Sequence, residues 1–507
     1  MTRRLLAGLL AAAAVLGGAT AAGAQTTHLR FGLAEDPDVL DPTLARTYVG
    51  RIVFAALCDK LFDIDEKLGA VPQLALSHET SADGRTVTIK LRPGVLFHDG
   101  EPMDADAVKF SLERHLTMPG SFRRPELAVV DRVEAVDPAT VRLLLKAPFA
   151  PLIAQLTDRA GMIVSPKAAK EAGERFGQKP VCAGPYRFVE RVQQDRIVVE
   201  RFPEYWNKGA AVIDRITYVP ITDSTVRLAN LKSGQLDVIE RMLATDIGEV
   251  RSNPRLKLAA VTELGYQGMT INVGKGEAAK GPLGSDPRVR RALELALDRE
   301  AINQVVYNGE YVAGNQWVSP ENPYYQGKFP IPAQDVAGAK RLLAAAGAKP
   351  PVAVDLMVPN NPETRQAAEV IQAMAAEAGF DVKIRVVEFA TSLKEAEEGR
   401  YQAYMLNWSG RPDPDGNVYI FAKTGAPQNY SGYSNPRVDA ALDEARTRSG
   451  TAERKATYEA VAAGVIEDRP VLYLYHRRWL VAHTARLDGL KLLPDGLVRV
   501  VGLTLNP

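Results

Sequence analysis

Residues 352–389 constrain the fold of this chain more than any other stretch. A short apolar run over 352–358 leads into Asn361-Pro362, a helix cap followed by proline at the first helical position. Val370, Ile371, Met374 and Ala378 then share one helical face, Gly379 stops the helix, and residues 380–389 read as a strand. Strand, helix and strand in about 40 residues make a βαβ unit, whose right-handed crossover joins parallel strands. At least one domain of the chain is therefore α/β. It is not the only one, because 507 residues exceed what a single core can serve; such cores stop growing at about 250–300 residues.

With 46% hydrophobic and 24% charged residues the chain is globular in composition. The 62 Lys plus Arg balance 61 Asp plus Glu, so no overall field gathers nucleic acid at the surface, and no nucleic-acid partner is expected. Residues 1–24 read as a signal peptide: Arg3 and Arg4 precede an apolar stretch over 5–16 and a small-residue cleavage site at Ala22-Gly23-Ala24. That stretch is shorter than the roughly 20 residues that span a bilayer. No cysteine follows the cut to carry a lipid, so the product is expected to be periplasmic, secreted and not lipidated. Cys58 and Cys182 are the only cysteines. In an oxidising compartment they either pair or stay as two buried thiols.

Further patterns place other elements. Val87, Ile89 and Leu91, then Pro93-Gly94, then Val95 and Phe97 predict a β-hairpin. Asp104 is the candidate cap of a helix bearing Val108, Leu112 and Leu116. Ser285 or Asp286 caps another helix expected over 287–302, and the Gly-rich residues 274–284 before it read as a linker.

Nucleophile-elbow, Walker A, two-histidine zinc and calcium-loop patterns are absent. His98 beside Asp99 is the one pair suggestive of proton transfer, and a structural turn is the commoner role. His476 and His483 lack metal-helix spacing, and Asp413 and Asp415 alternate with Pro412 and Pro414 in what reads as a rigid turn. No catalytic residue, metal ion or cofactor is expected. Residues 400–435 instead concentrate aromatics, namely Tyr401, Tyr404, Trp408, Tyr419, Phe421, Tyr430 and Tyr433, as ligand clefts do. Packing of an α/β core would account for them equally well, except that Trp408 is followed at once by the turn Ser409-Gly410-Arg411-Pro412.

Residues 86–114, TVTIKLRPGVLFHDGEPMDADAVKFSLER, resemble the signature segment of the bacterial extracellular solute-binding proteins of family 5, which serve peptide, opine and nickel importers. The likeness continues through LDP (40–42), AGPYRFVE (183–190), PEYW (203–206), LKSGQLDVI (231–239), DPRVRRALELALDREAI (286–302) and GYSNPRVDAALDEAR (432–446). It implies a two-lobed periplasmic-binding-protein fold, class II-like, with an extra subdomain in the first lobe. Residues 25–65, 183–275 and 480–507 would form lobe I, 66–182 the extra subdomain and 276–479 lobe II. The signature itself is architectural. Cys58 and Cys182 would both lie near the junctions of that subdomain with lobe I, which favours a disulfide.

The resemblance also implies a function: a monomeric substrate-binding protein that closes on a small solute and presents it to an inner-membrane ABC permease. In peptide-binding members an acidic residue three places after the tryptophan at Trp408 meets the ligand's ammonium; this chain has Arg411 there. Counted from the LDP motif, a second acidic position falls at Arg46. A guanidinium repels an ammonium and grips a carboxylate or phosphate. The expected ligand-binding residues are thus Trp408, Arg411, Arg46, Tyr48 and Tyr266, and the expected ligand carries an anionic group. A conventional di- or oligopeptide-binding member, in which the arginines pair with Asp413, Asp415 or Asp41, is the alternative; a periplasmic hydrolase on the same fold is a more remote one.

Overall fold

In the computed structural model, which describes residues 27–506, the predicted βαβ unit forms as strand Val352–Pro359, helix Pro362–Glu377 and strand Phe380–Val387. The two strands are parallel, with Val352 opposite Phe380. Asn361 caps the helix by accepting from the Thr364 amide at 3.0 Å. The expected signal peptide lies outside the described residues.

This unit sits at one edge of a six-stranded sheet. Its order is Val312–Ala313, Val471–His476, Tyr266–Ile271, Ala403–Trp408, Val352–Pro359 and Phe380–Val387. A second, seven-stranded sheet runs Leu256–Thr262, Arg478–Thr484, Val238–Ile239, His28–Leu33, Arg215–Pro220, Arg196–Arg201 and Tyr186–Val192. A four-stranded antiparallel sheet, Ala75–Thr80, Thr86–Leu91, Thr140–Leu145 and Val130–Asp137, has its own core around Val87, Ile89, Phe97 and Leu112. These are the two lobes and the extra subdomain.

The boundaries differ from those expected. Strand Tyr266–Ile271 belongs to the second lobe's sheet, so the chain crosses between lobes at 263–265 rather than after 275; it returns at Arg477, between strands Val471–His476 and Arg478–Thr484. Residues 274–284 are therefore no interlobe linker: they fold into short helical turns within lobe II. The subdomain also begins earlier, since Phe62–Ile64 pairs with Ala70–Pro72 across the expected cut at 65/66, and Leu61 and Phe62 lie in its core.

Two local expectations are also corrected. Strand Thr86–Leu91 pairs with Ala75–Thr80 and Thr140–Leu145, not with residues 95–97. The Pro93-Gly94 turn is present, with Gly94 at φ 71°, but Val95 and Phe97 continue into a loop that closes on Glu101 and Met103. Alternation places side chains on a face; it does not choose the neighbouring strand. The helix expected over 287–302 is two helices, Pro287–Leu295 and Arg299–Tyr307, because Asp298 caps the second by accepting from Ala301. Asp286 caps the first and Asp104 caps Ala105–Thr117.

Candidate functional site

Thr47 starts helix Tyr48–Leu57 by accepting from the Gly50 amide, and the helix ends at Cys58, which is disulfide-bonded to Cys182 with Cα atoms 4.9 Å apart. This pins the helix to the end of the subdomain. Arg51 on the helix donates from Nε to Asp158 Oδ1 at 3.1 Å. Asp158 leads a single 3-10 turn, Arg159–Gly161, in which an added Cβ at Gly161 would collide with the Leu156 carbonyl. Only glycine closes that turn, and the turn presents Asp158 and Arg159 side by side. Arg159 donates from Nη1 to the Ala45 carbonyl at 2.8 Å; Arg123 donates to the same carbonyl at 3.3 Å and to Glu126 Oε1 at 2.6 Å.

From lobe II comes Arg411, whose Nε lies 3.2 Å from Asp158 Oδ2. Its loop is fixed by Asn417, which is fully buried. Asn417 Oδ1 accepts from the Trp408 indole at 2.9 Å and from the Arg411 amide at 2.7 Å, while Nδ2 donates to the Arg411 carbonyl at 3.0 Å and the Leu264 carbonyl at 3.3 Å. The Arg411 guanidinium lies over the Trp408 ring, 4.6 Å from its centre. Trp408 and Arg411 therefore act as one unit. An added Cβ at Gly410 would collide with Gly265, so this loop is packed directly on the interlobe crossing.

The result is a buried ionic cluster spanning lobe I, the subdomain and lobe II. Burial works against the Asp158 carboxylate, yet Arg51, Arg411, Arg159 and Arg123 together hold its pKa well below the usual range. Burial, then Arg123 and other arginines, pushes the Arg159 pKa well down; burial also lowers that of Arg411, against the pull of Asp158. Arg51 Nη1, Arg123 Nε and Arg159 Nε have no hydrogen-bond partner among the described residues. Next to Arg51, Tyr48 stacks on Trp479 at 4.4 Å, and Tyr48 Oη and Trp479 Nε1 are likewise unpartnered.

The other expected site residues separate. Arg46 has its side chain 54% exposed, 3.8 Å from Asp38 and over the Phe122 ring at 4.9 Å. Tyr266 is 2% exposed and packs edge-on against Tyr473 and Phe421 in a lobe II core. Tyr401, Tyr404 and Tyr430 are core residues too. Asp413 is gripped by both terminal nitrogens of Arg454, and Asp415 by Arg446, so neither faces Arg411. Asp41 pairs with Arg114. His98 bonds the Gly184 carbonyl at 3.1 Å and His476 the Gly265 carbonyl at 2.6 Å, burial pushing each down to about 4. His483 bonds the Thr484 carbonyl at 2.9 Å.

Sequence reasoning missed Arg51, Arg123, Asp158, Arg159 and Asn417. The Asp158-Arg159 pair just ahead of a glycine was the one local signal.

Comparison with known proteins bears on the family and the fold. The glutathione-binding protein of Pectobacterium atrosepticum is 30% identical over 470 residues, 90% of each chain. The periplasmic binding protein AgaA of A. tumefaciens R10, solved with agropinic acid, superposes with a TM-score of 0.84 at 27% identity, covering 95% of this chain and 99% of that one. DppA from Helicobacter pylori, solved with the peptide STSA, shares the fold with a TM-score of 0.85 at 24% identity, covering 95% and 98%. The profile described as "Bacterial extracellular solute-binding proteins, family 5 Middle" matches residues 69–429, and on that match this protein belongs to family 5 of the bacterial extracellular solute-binding proteins.

Proposed function

We propose that this chain is exported by the signal peptide at 1–24, works as an unlipidated monomer in the periplasm, and captures a small anionic organic solute for an inner-membrane ABC permease. No covalent chemistry is involved; closure of the two lobes is the mechanism. The observation that carries the reading is Arg411 at the position where peptide-binding relatives place an acid, buried against Trp408 and aimed at the subdomain. A ligand ammonium there would be a buried like-charge neighbour of a guanidinium, whereas a carboxylate gains charge-assisted hydrogen bonds. Glutathione and agropinic acid, the solutes named for two relatives, both carry carboxylates, and the ammonium that glutathione also carries would have to lie away from Arg411. The engagement of His98, Asp413 and Asp415 in structural hydrogen bonds supports a binding role over a catalytic one. Among the described residues no helix is long and apolar enough to cross a membrane.

The test is a thermal-shift screen of opines, glutathione, sugar acids, aromatic acids, neutral peptides and metal chelates on the wild type and on Arg411→Asp. A solute at about 100 times its Kd adds about 2.7 kcal/mol of stability. Anionic solutes should shift the wild type and fail on the variant; stabilisation by ordinary peptides instead would make the chain a conventional peptide binder.

A further inference from the structure

Resting on the solute-binding reading, the charge balance of the cluster around Asp158 narrows the ligand further. Four guanidinium groups, Arg51, Arg123, Arg159 and Arg411, meet two carboxylates, Asp158 and Glu126, which leaves two positive charges over. The four arginines are 3%, 3%, 2% and 8% exposed. A guanidinium does not shed its proton in a protein, and an ion held from water without a partner is costly. The next acid, Asp495, helps hold the charge on Arg51 from a distance, but it is already matched by Arg499, which engages both its oxygens at 3.1 and 2.9 Å.

The idle donors agree with the charge. Arg51 Nη1, Arg123 Nε and Arg159 Nε belong to three separate segments, all gathered within the field of the one carboxylate of Asp158. Glu126 Oε2 is also buried without a hydrogen-bond partner among the described residues, an acceptor left for an O–H or N–H of the same ligand.

We propose that the ligand brings two negative charges into this cluster, as two neighbouring carboxylates or as one phosphate monoester, and that Arg51, Arg123, Arg159 and Arg411 receive them. Three of these arginines ride on lobe I and its subdomain and one on lobe II. Without the dianion the like charges oppose closure; with it they draw the lobes together. Ligand charge, rather than ligand shape alone, then sets the closed population.

The experiment compares matched probes on the purified full protein: N-acetylglutamate against N-acetylglutamine, and glycerol 3-phosphate against glycerol. Binding is measured by calorimetry and ligand-free melting is recorded for wild type and Arg159→Gln. At least one dianion should bind at least tenfold more tightly than its matched partner, which also identifies carboxylate pair or phosphate. Arg159→Gln should lose that preference while melting no lower than wild type, since it removes an uncompensated charge. Equal binding of both partners in every pair, or a variant that melts several degrees lower yet keeps the preference, overturns the proposal. A neutral or cationic solute bound one to one overturns it too, yet leaves solute capture standing; a chain that binds no solute of any class overturns both.

Discussion

Two ionic networks, one within the first lobe and its subdomain and one reaching from them to lobe II, are built to opposite rules. In one, Arg499 donates to both oxygens of Asp63 at 2.7 and 2.9 Å and to both of Asp495 at 2.9 and 3.1 Å, while Lys60 reaches Asp63 at 2.6 Å. Two cations meet two anions, and none of these four side chains has a buried polar atom lacking a partner. Burial opposes the Asp63 carboxylate, but Lys60 and Arg499 hold its pKa far below the ordinary range. In the other network, around Asp158, cations outnumber anions and donors are idle. The first is closed within the chain and serves the fold. The second leaves buried donors without a partner among the described residues and lies where the lobes meet, and the proposed dianion would complete it.

The sharpest ways to break this contrast come from the covalent and ionic ties of the closed side. Cys58 and Cys182 are 124 positions apart in sequence and enclose the whole subdomain sheet. Replacing both with serine should cost about 4 kcal/mol in chemical denaturation, from the loop entropy released to the unfolded chain. Arg499→Ala should follow at about 3 kcal/mol, because it strands the buried Asp495 carboxylate and leaves Asp63 with Lys60 alone, and it should leave ligand selection unchanged in calorimetry. Arg411→Asp should do the reverse: anionic solutes should bind about 100-fold more weakly, which is about 2.7 kcal/mol.

A smaller effect is expected at the lobe crossing. Glu263 accepts from the Arg477 amide at 2.8 Å and from Gln267 at 2.8 Å, joining the two strands that cross between lobes. Burial raises its pKa to about 7, against the pull of Arg477. Between its ordinary 4.5 and about 7 the folded chain holds a proton the unfolded chain has released. Stability conferred by this group is thus fullest below pH 4.5 and falls as pH rises to about 7. Glu263→Gln should reduce that fall, by up to about 1.4 kcal/mol per pH unit, measured as the difference from wild type because buried Asp59, also raised to about 7 by burial, contributes a slope of the same sign.

What was legible in the sequence follows from how local each signal is. The βαβ unit could be read from periodicity, a cap and a stop within one segment. The lobe crossings could not, because they occupy 263–265 and Arg477 alone, too short to alter composition. Arg411 was singled out because it stands three places after Trp408, where the resembled peptide-binding members have an acid. Arg51, Arg123 and Arg159 were not: they lie far apart in sequence and meet only through the helix, the subdomain and the Gly161 turn. Arg123 and Arg124 look alike in sequence, yet Arg123 is 3% exposed in the cluster while Arg124 caps helix carbonyls at the surface. Arg46 was placed by counting, and its side chain is 54% exposed beside Asp38 and Phe122.

Native mass spectrometry of the protein purified from the cells that make it, followed by release and identification of the bound molecule, tests the central claim most directly. One small solute per chain, carrying two acidic groups and unchanged after prolonged incubation with the protein, is the predicted result. A bound peptide held by its ammonium, a neutral solute, or a molecule converted to product on incubation would contradict it.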